Sequence, residues 1–291
     1  MSLFNAPAKK HSHRLKLLAP GCVIAVVPIL VMILVFGQES KAQDRFGELP
    51  PPVSTLRYLT VGVTEYVDPT IRQLSCCRRD AEDMAEAFRA QKGKLCPLVE
   101  GETLTDAQAT RQNILNALDN LIATARNGDT AMIFLSGHGG GCGIRGEWGF
   151  NPHDFDDVRG HETALTANLL RRKLTELARG GVKVILILNC CHAGAFGIHD
   201  NNFVVLAGCL PYELAWVNSL WRNAVFTTAL LEAWQGKADR NSDGVVTLDE
   251  VEVYVARRVQ ELLRDAGIPS EQSPSCGQPA GLREGLLLAR I

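Results

Sequence analysis

Hydrophobic positions from residue 57 onward alternate between two periods. Residues 57–63 form a short β-branched run bounded by glycine, the signature of a strand. Residues 130–135, 183–188 and 203–206 are continuous apolar runs, which predicts strands covered on both faces. Between them the spacing turns helical. Ala81, Met84, Ala85 and Phe88 predict a helix over 78–91, and Ile114, Leu115, Leu118 and Leu121 predict one over 106–125. Further helices are predicted over 163–179, 221–235 and 248–266, with a closing strand over 285–289. Strands alternating with helices imply a mainly parallel α/β sheet, whose functional residues gather at the carboxyl ends of its strands.

Before residue 57 the pattern changes. Lys9, Lys10, Arg14 and Lys16 make a basic tail over 1–16, and residues 17–37 hold no charge in 21 positions. As a helix that run would be roughly 30 Å long, enough to cross a bilayer core. The basic flank comes first, so a single-pass membrane protein with its remainder outside the cytoplasm is expected. The alternatives are a chain secreted after signal cleavage near Ser40-Lys41-Ala42, or a soluble cytoplasmic one. Residues 38–56, with Pro50-Pro51-Pro52, read as a stiff linker, which leaves 57–291 as the folded domain.

Composition narrows the function. A chain 46% hydrophobic and 21% charged is not disordered, and a net charge of −2 offers no basic excess for nucleic acid. Nine cysteines in 291 residues are too few for a disulfide scaffold, although either exported location permits disulfides.

The chemistry-bearing residues fall where two apolar runs end. One run leads into Ser136-Gly137-His138-Gly139-Gly140, the other into Asn189-Cys190-Cys191-His192-Ala193-Gly194. If these strands are neighbours, a histidine and a cysteine project from adjacent strand ends. Thiol attack needs a thiolate, and imidazole supplies the base or the ion-pair partner. Glycines beside His138 let a substrate backbone approach and free N–H groups for an oxyanion. The plainer reading is buried core cysteines beside an ordinary glycine turn. A zinc site fits poorly, because adjacent Cys190, Cys191 and His192 cannot chelate one ion well.

These segments resemble the caspase-like cysteine peptidases, in their bacterial and metacaspase branch. Residues 59–63 resemble the family's first strand. Leu74-Ser-Cys-Cys-Arg-Arg-Asp80-Ala81, followed by Met84, resembles "GCxxDA…M". Leu135-Ser-Gly-His-Gly139 resembles "FSGHG", and Leu186-Ile-Leu-Asn-Cys-Cys-His-Ala-Gly194 resembles "LDxCHSG". The resemblance implies a three-layer caspase-like fold and hydrolysis of protein or peptide substrates through a thioester acyl-enzyme. It makes Cys191 the nucleophile and His138 the base and later the acid. It gives the N–H groups of Gly139 and Cys191 to the oxyanion hole, and leaves packing roles for Cys190 and His192. In metacaspases two aspartates line a pocket for Arg or Lys. One corresponds to Asp80; the other falls at Asn189, a neutral amide, and here the chain departs from the family. Asp80 could equally be an acid in a helix first turn, and Asn189 opens the alternative of an inactive, membrane-tethered binding module.

Residues 239–250 match the twelve-residue EF-hand loop. Asp239, Asn241 and Asp243 would offer side-chain oxygens to Ca2+, Val245 its carbonyl, Thr247 a water-mediated contact and Glu250 two oxygens. Gly244 would allow the sharp turn. Three carboxylates predict modest affinity. In millimolar extracellular calcium the ion would be a permanent brace, fixing the helix from Trp221 and, through it, the 201–218 loop beside the cleft.

Overall fold

Strand β1 (Thr55–Gly62) is the first element of the computed structural model, which describes residues 54–142, 146–197, 200–217, 221–277 and 286–291. The predicted tail and membrane span lie outside the described residues, as does most of the linker. Among the described residues no helix is long and apolar enough to cross a membrane. The last positions of the predicted linker, Thr55 and Leu56, already belong to β1 and are buried.

After β1 come α1 (Cys77–Arg89), β2 (Leu98–Thr105), α2 (Arg111–Thr124) and β3 (Thr130–Ser136). A small antiparallel sheet follows, made of β4 (Gly139–Cys142), β5 (Glu147–Phe150) and β6 (Leu165–Thr166), with the single-turn α3 (Gly160–Thr163) between the last two. Then come α4 (Ala167–Arg179), β7 (Lys183–Asn189), β8 (Val204–Ala207), α5 (Val225–Glu232), β9 (Val245–Thr247), α6 (Leu248–Asp265), β10 (Ser275–Gly277) and β11 (Leu287–Arg290). The main sheet has six strands in the order β10-β8-β7-β3-β1-β2; β10 runs antiparallel to β8 and the other pairings are parallel.

Period-two alternation splits each central strand between two cores. Met132 and Phe134 of β3, with Ile185 and Ile187 of β7, face Met84, Phe88 and Phe226 on the α1–α5–α6 side. Ile133 and Leu135, with Val184, Leu186 and Leu188, face Ile114, Leu118, Leu170 and Leu174 on the α2–α4 side. The result is the expected helix–sheet–helix sandwich.

Several elements depart from the sequence pattern for identifiable reasons. The helix predicted over 106–125 splits. Asp106, at φ 44°, turns its carboxylate to the Thr64 and Glu65 N–H groups (2.8 and 3.1 Å), and α2 starts only after Thr110 caps it. The helix predicted from 221 starts at Val225, after Ala224, whose backbone is extended (ψ 155°) and whose N–H donates to Asp80 (3.0 Å). The closing strand β11 joins β9 in a separate two-stranded sheet, not the main one.

Candidate functional site

The register of β3 against β7 places the two motifs side by side. Ser136 pairs with Asn189, and the Gly137 N–H donates to the Asn189 carbonyl at 3.3 Å. His138 and Cys191 each lie two residues beyond that paired position, at the carboxyl end of the sheet. Gly139 is pressed against the cysteine pair: a Cβ there would stand 3.1 Å from the Cys190 sulfur and 3.2 Å from the Cys191 carbonyl oxygen. A side chain there would need the cysteine pair to give by a few tenths of an ångström.

His138 is oriented from three directions. Its Nε2 lies 2.7 Å from the Arg72 carbonyl oxygen. A carbonyl can only accept, so Nε2 carries a hydrogen and Nδ1 of the neutral ring is the free base. The His138 N–H donates to the Tyr66 hydroxyl at 2.8 Å, and the two rings pack with centroids 5.2 Å apart. Tyr66 is 5% exposed and burial lifts its phenol well above the ordinary range, so it stays a neutral acceptor. Both Tyr66 and the Arg72 carbonyl come from the loop after β1. That loop is shaped by the Asp106 bonds, by Leu74 N–H to the Thr64 carbonyl (2.9 Å) and by Tyr66 N–H to Gln73 Oε1 (3.0 Å). Sequence reading missed both groups. A backbone carbonyl has no residue signature, and Tyr66 sits outside every motif.

Cys191 is half-buried, while Cys190 is 1% exposed. Burial raises the Cys191 thiol above its ordinary range, opposed in part by the backbone N–H groups of Ala215 and of Cys191 itself. Cys190 is pushed up much further by burial, which leaves it an inert thiol. His192 adopts a left-handed backbone (φ 57°), donates its N–H to the Glu213 carbonyl (2.9 Å) and sets Nδ1 2.9 Å from the Pro211 carbonyl. These bonds hold the turn after the nucleophile position. The Trp148 indole N–H reaches the Cys191 carbonyl at 3.4 Å.

Asp80 and Asn189 meet beneath this pair. Asp80, fully buried in the first turn of α1, accepts from Ser136 Oγ (2.8 Å), Asn189 Nδ2 (3.0 Å) and the Ala224 N–H (3.0 Å). Asn189 Nδ2 also lies 3.0 Å from Ser136 Oγ and 3.1 Å from Thr227 Oγ1, while its buried Oδ1 has no partner. Desolvation pushes the Asp80 carboxyl up to about 6 against these donors. An aspartate at 189 would set two carboxylates about 3 Å apart, where both could not stay ionised. The amide removes that repulsion and its charge together. In this conformation neither group faces solvent.

The loop over 239–250 lies between α5 and α6, after a short helical segment (Ala233–Lys237) kinked at Gly236 (φ 99°). Gly244 turns it at φ 80°. Asp239 accepts from the Asp243 and Gly244 N–H groups (3.2 and 3.0 Å), and Asp243 accepts from Val245 N–H (3.0 Å). Asn241 Nδ2 donates to Asp243 Oδ2 at 2.9 Å. Glu250 closes a capping box on α6, accepting from Thr247 N–H and Oγ (3.0 and 2.9 Å), and its other oxygen takes the Arg240 N–H (3.1 Å). Among the described residues no three His, Cys, Asp or Glu side chains are grouped to hold a metal. The oxygen donors are of the right type for a hard cation, and they now serve backbone N–H groups.

Comparison with known proteins shows the family and the fold. The family described as Caspase domain matches residues 57–279. Metacaspase-1B of Neurospora crassa is 32% identical over 174 residues, covering 53% of this chain and 39% of that protein. Metacaspase-3 of Trypanosoma brucei brucei is 29% identical over 183 residues, 54% and 46% of the two chains. The chain thus spans less than half the length of these curated relatives. Among solved structures, protein GSU0716 from Geobacter sulfurreducens superposes with a TM-score of 0.58 at 19% identity, over 80% of this chain and 99% of that one. Caspase-1 from Spodoptera frugiperda also gives 0.58, at 12% identity, over 83% and 91%. Both show a shared fold.

Proposed function

The chain belongs to the Caspase domain family, and from that premise we propose that it is a cysteine endopeptidase acting through His138 and Cys191. The observation that carries this reading is the 2.7 Å contact between His138 Nε2 and the Arg72 carbonyl, which leaves Nδ1 as the base. The raised Cys191 thiol is protonated at neutral pH, so its proton passes to Nδ1 as sulfur attacks the scissile carbonyl. The N–H groups of Gly139 and Cys191 take the oxyanion. The resulting imidazolium then protonates the leaving amine, and water hydrolyses the thioester.

Preference for Arg or Lys before the scissile bond would rest on Asp80 alone. A basic side chain reaches that carboxylate only if the 223–227 segment, whose Ala224 N–H now binds it, gives way. Calcium binding by the 239–250 loop is part of the proposal: Asp239, Asn241, Asp243, Val245, Thr247 and Glu250 would hold the ion and brace α5 against α6. Residues 17–37 would anchor the chain in a membrane with the peptidase outside the cytoplasm; protease accessibility in intact cells tests that placement. The inactive-module reading gains nothing here, since Asn189 lies in a buried network beneath the dyad.

The test is turnover by the purified full chain with calcium, on fluorogenic peptides ending in Arg, Lys, Asp or a neutral residue. Cleavage that vanishes in Cys191→Ala is expected. No cleavage of any peptide by folded protein would overturn the peptidase reading.

A further inference from the structure

His153 belongs to none of the motifs, yet it reaches the loop that orients His138. It lies after β5, in the segment leading to α3, and is half-buried. Its N–H donates to the Ala109 carbonyl at 2.9 Å, and its own carbonyl accepts the Val67 N–H at 3.0 Å. These two backbone bonds hold residue 153 against the loop after β1. There the ring nitrogen Nδ1 stands 2.7 Å from the Glu65 carbonyl oxygen. A carbonyl can only accept, so Nδ1 carries the hydrogen and donates it.

Tyr66 lies between these contacts, and Gln73 completes them. The Tyr66 N–H donates to Gln73 Oε1 at 3.0 Å, and Gln73 Nε2 lies 3.5 Å from the Tyr66 carbonyl. The peptide entering Tyr66 is therefore held at its carbonyl by the His153 ring and at its N–H by Gln73. The peptide leaving Tyr66 is held at its N–H by the His153 carbonyl and at its own carbonyl by Gln73. Asp106 secures the start of the same loop through the Thr64 and Glu65 N–H groups. Gln73 moves with the loop, whereas His153 ties it to a different part of the chain.

We propose that His153 is a positioning residue for His138: its Nδ1–H fixes the Glu65–Tyr66 peptide and so keeps the Tyr66 hydroxyl on the His138 N–H. This rests on the reading of His138 as the base. Tyr66 touches His138 twice, through the 2.8 Å bond to its N–H and through ring packing at 5.2 Å. The same loop carries the Arg72 carbonyl, which takes the hydrogen of His138 Nε2 and leaves Nδ1 as the base. A shift of the loop moves both supports together. Misplacing a reacting group by about 1 Å costs a large part of the rate, so the ties that locate this loop bear on the chemistry without touching substrate.

The experiment compares His153→Leu and His153→Asn with the wild type, all as full chains. Leucine keeps both backbone bonds and the branching at the δ position but has no donor. Asparagine puts an N–H donor back at the δ position. Two quantities are read: steady-state kinetics on a peptide the wild type cleaves, and residue-resolved hydrogen exchange at the His138 amide, which needs no turnover. His153→Leu is expected to lower kcat about tenfold with KM unchanged, and to speed exchange at the His138 amide about tenfold. His153→Asn is expected to bring both back close to wild type, which a general loss of packing would not allow. Wild-type kcat or wild-type exchange in His153→Leu overturns the proposal, and so does an asparagine variant as impaired as the leucine one. If His153→Leu does not fold, His153→Gln, whose donor sits one bond further out, takes its place with the same expectations. No cleavage by the wild type would overturn the peptidase reading, and exchange alone would then decide whether His153 holds the His138 site.

Discussion

At the scale of single residues, His138 and Asp80 show how environment assigns roles to ordinary side chains. Tyr66 accepts the His138 N–H and packs on the ring. Tyr66→Phe is expected to lower kcat severalfold with little change in KM, since the loss of about 1 kcal/mol of hydrogen bonding falls on the base and not on substrate contacts. Steady-state kinetics on one peptide series checks this. Asp80 carries a different signal. Its folded pKa of about 6 exceeds the ordinary 3.8, so the folded state binds the extra proton between those values. Stability from this group is present below pH 4 and lost as pH rises through 6, by about 3 kcal/mol in total. Asp80→Asn should abolish that slope. Urea denaturation of both proteins from pH 4 to 7 reads the difference, and parallel slopes would refute it.

At the scale of elements, side chains of α5 and α6 tie the two helices directly. Glu232 at the end of α5 accepts from Arg258 Nε (2.7 Å) and the Tyr254 hydroxyl (2.7 Å) of α6, and Arg258 first of all holds its carboxyl down to about 2. Stability from this group is full above the ordinary carboxylate range and is lost as pH falls towards 2. The pair is partly solvated, so Glu232→Gln should cost only about 1 kcal/mol at pH 7, measured as a lower denaturation midpoint. The loop has its own test. Calcium should raise the melting temperature in a concentration-dependent way in the wild type and not in Asp239→Ala. A wild-type melting curve indifferent to millimolar calcium would remove the ion from the account. If Asp239→Ala loses calcium and keeps full activity, the loop is a brace with no bearing on the cleft.

At the scale of the whole molecule, the thiols matter collectively. Seven of the eight cysteines among the described residues, Cys276 apart, are free thiols, and six of the eight are buried. Among the described residues the fold is held by the two apolar layers around the sheet. Reducing agent is expected to leave the melting temperature unchanged; a fall of several degrees would show that oxidised pairs contribute. The same layering explains where the site lies. Parallel strands deliver every carboxyl end to one edge, and the loops after β1, β3, β7 and β8 converge there because each must turn back to a helix or strand on that side.

The sequence by itself determined the order of the central elements and the two motifs. Apolar runs of four to six residues are short for a helix and fit buried strands, and Gly-His-Gly and Cys-Cys-His are local in the chain. The edge strand β2 was not legible, because residues 98–103 are mostly exposed and their extended form comes from pairing with β1. Nor were the Arg72 carbonyl and Tyr66, whose contacts with His138 exist only on folding. Asp80 and Asn189 were visible as residues, yet only the packed interior, which brings together positions 109 apart and raises one carboxyl by desolvation, decided that they bond to each other. A hydrophobic pattern is written in neighbours along the chain. Hydrogen-bond partners and pKa values depend on neighbours in space, and those exist only once the chain is folded.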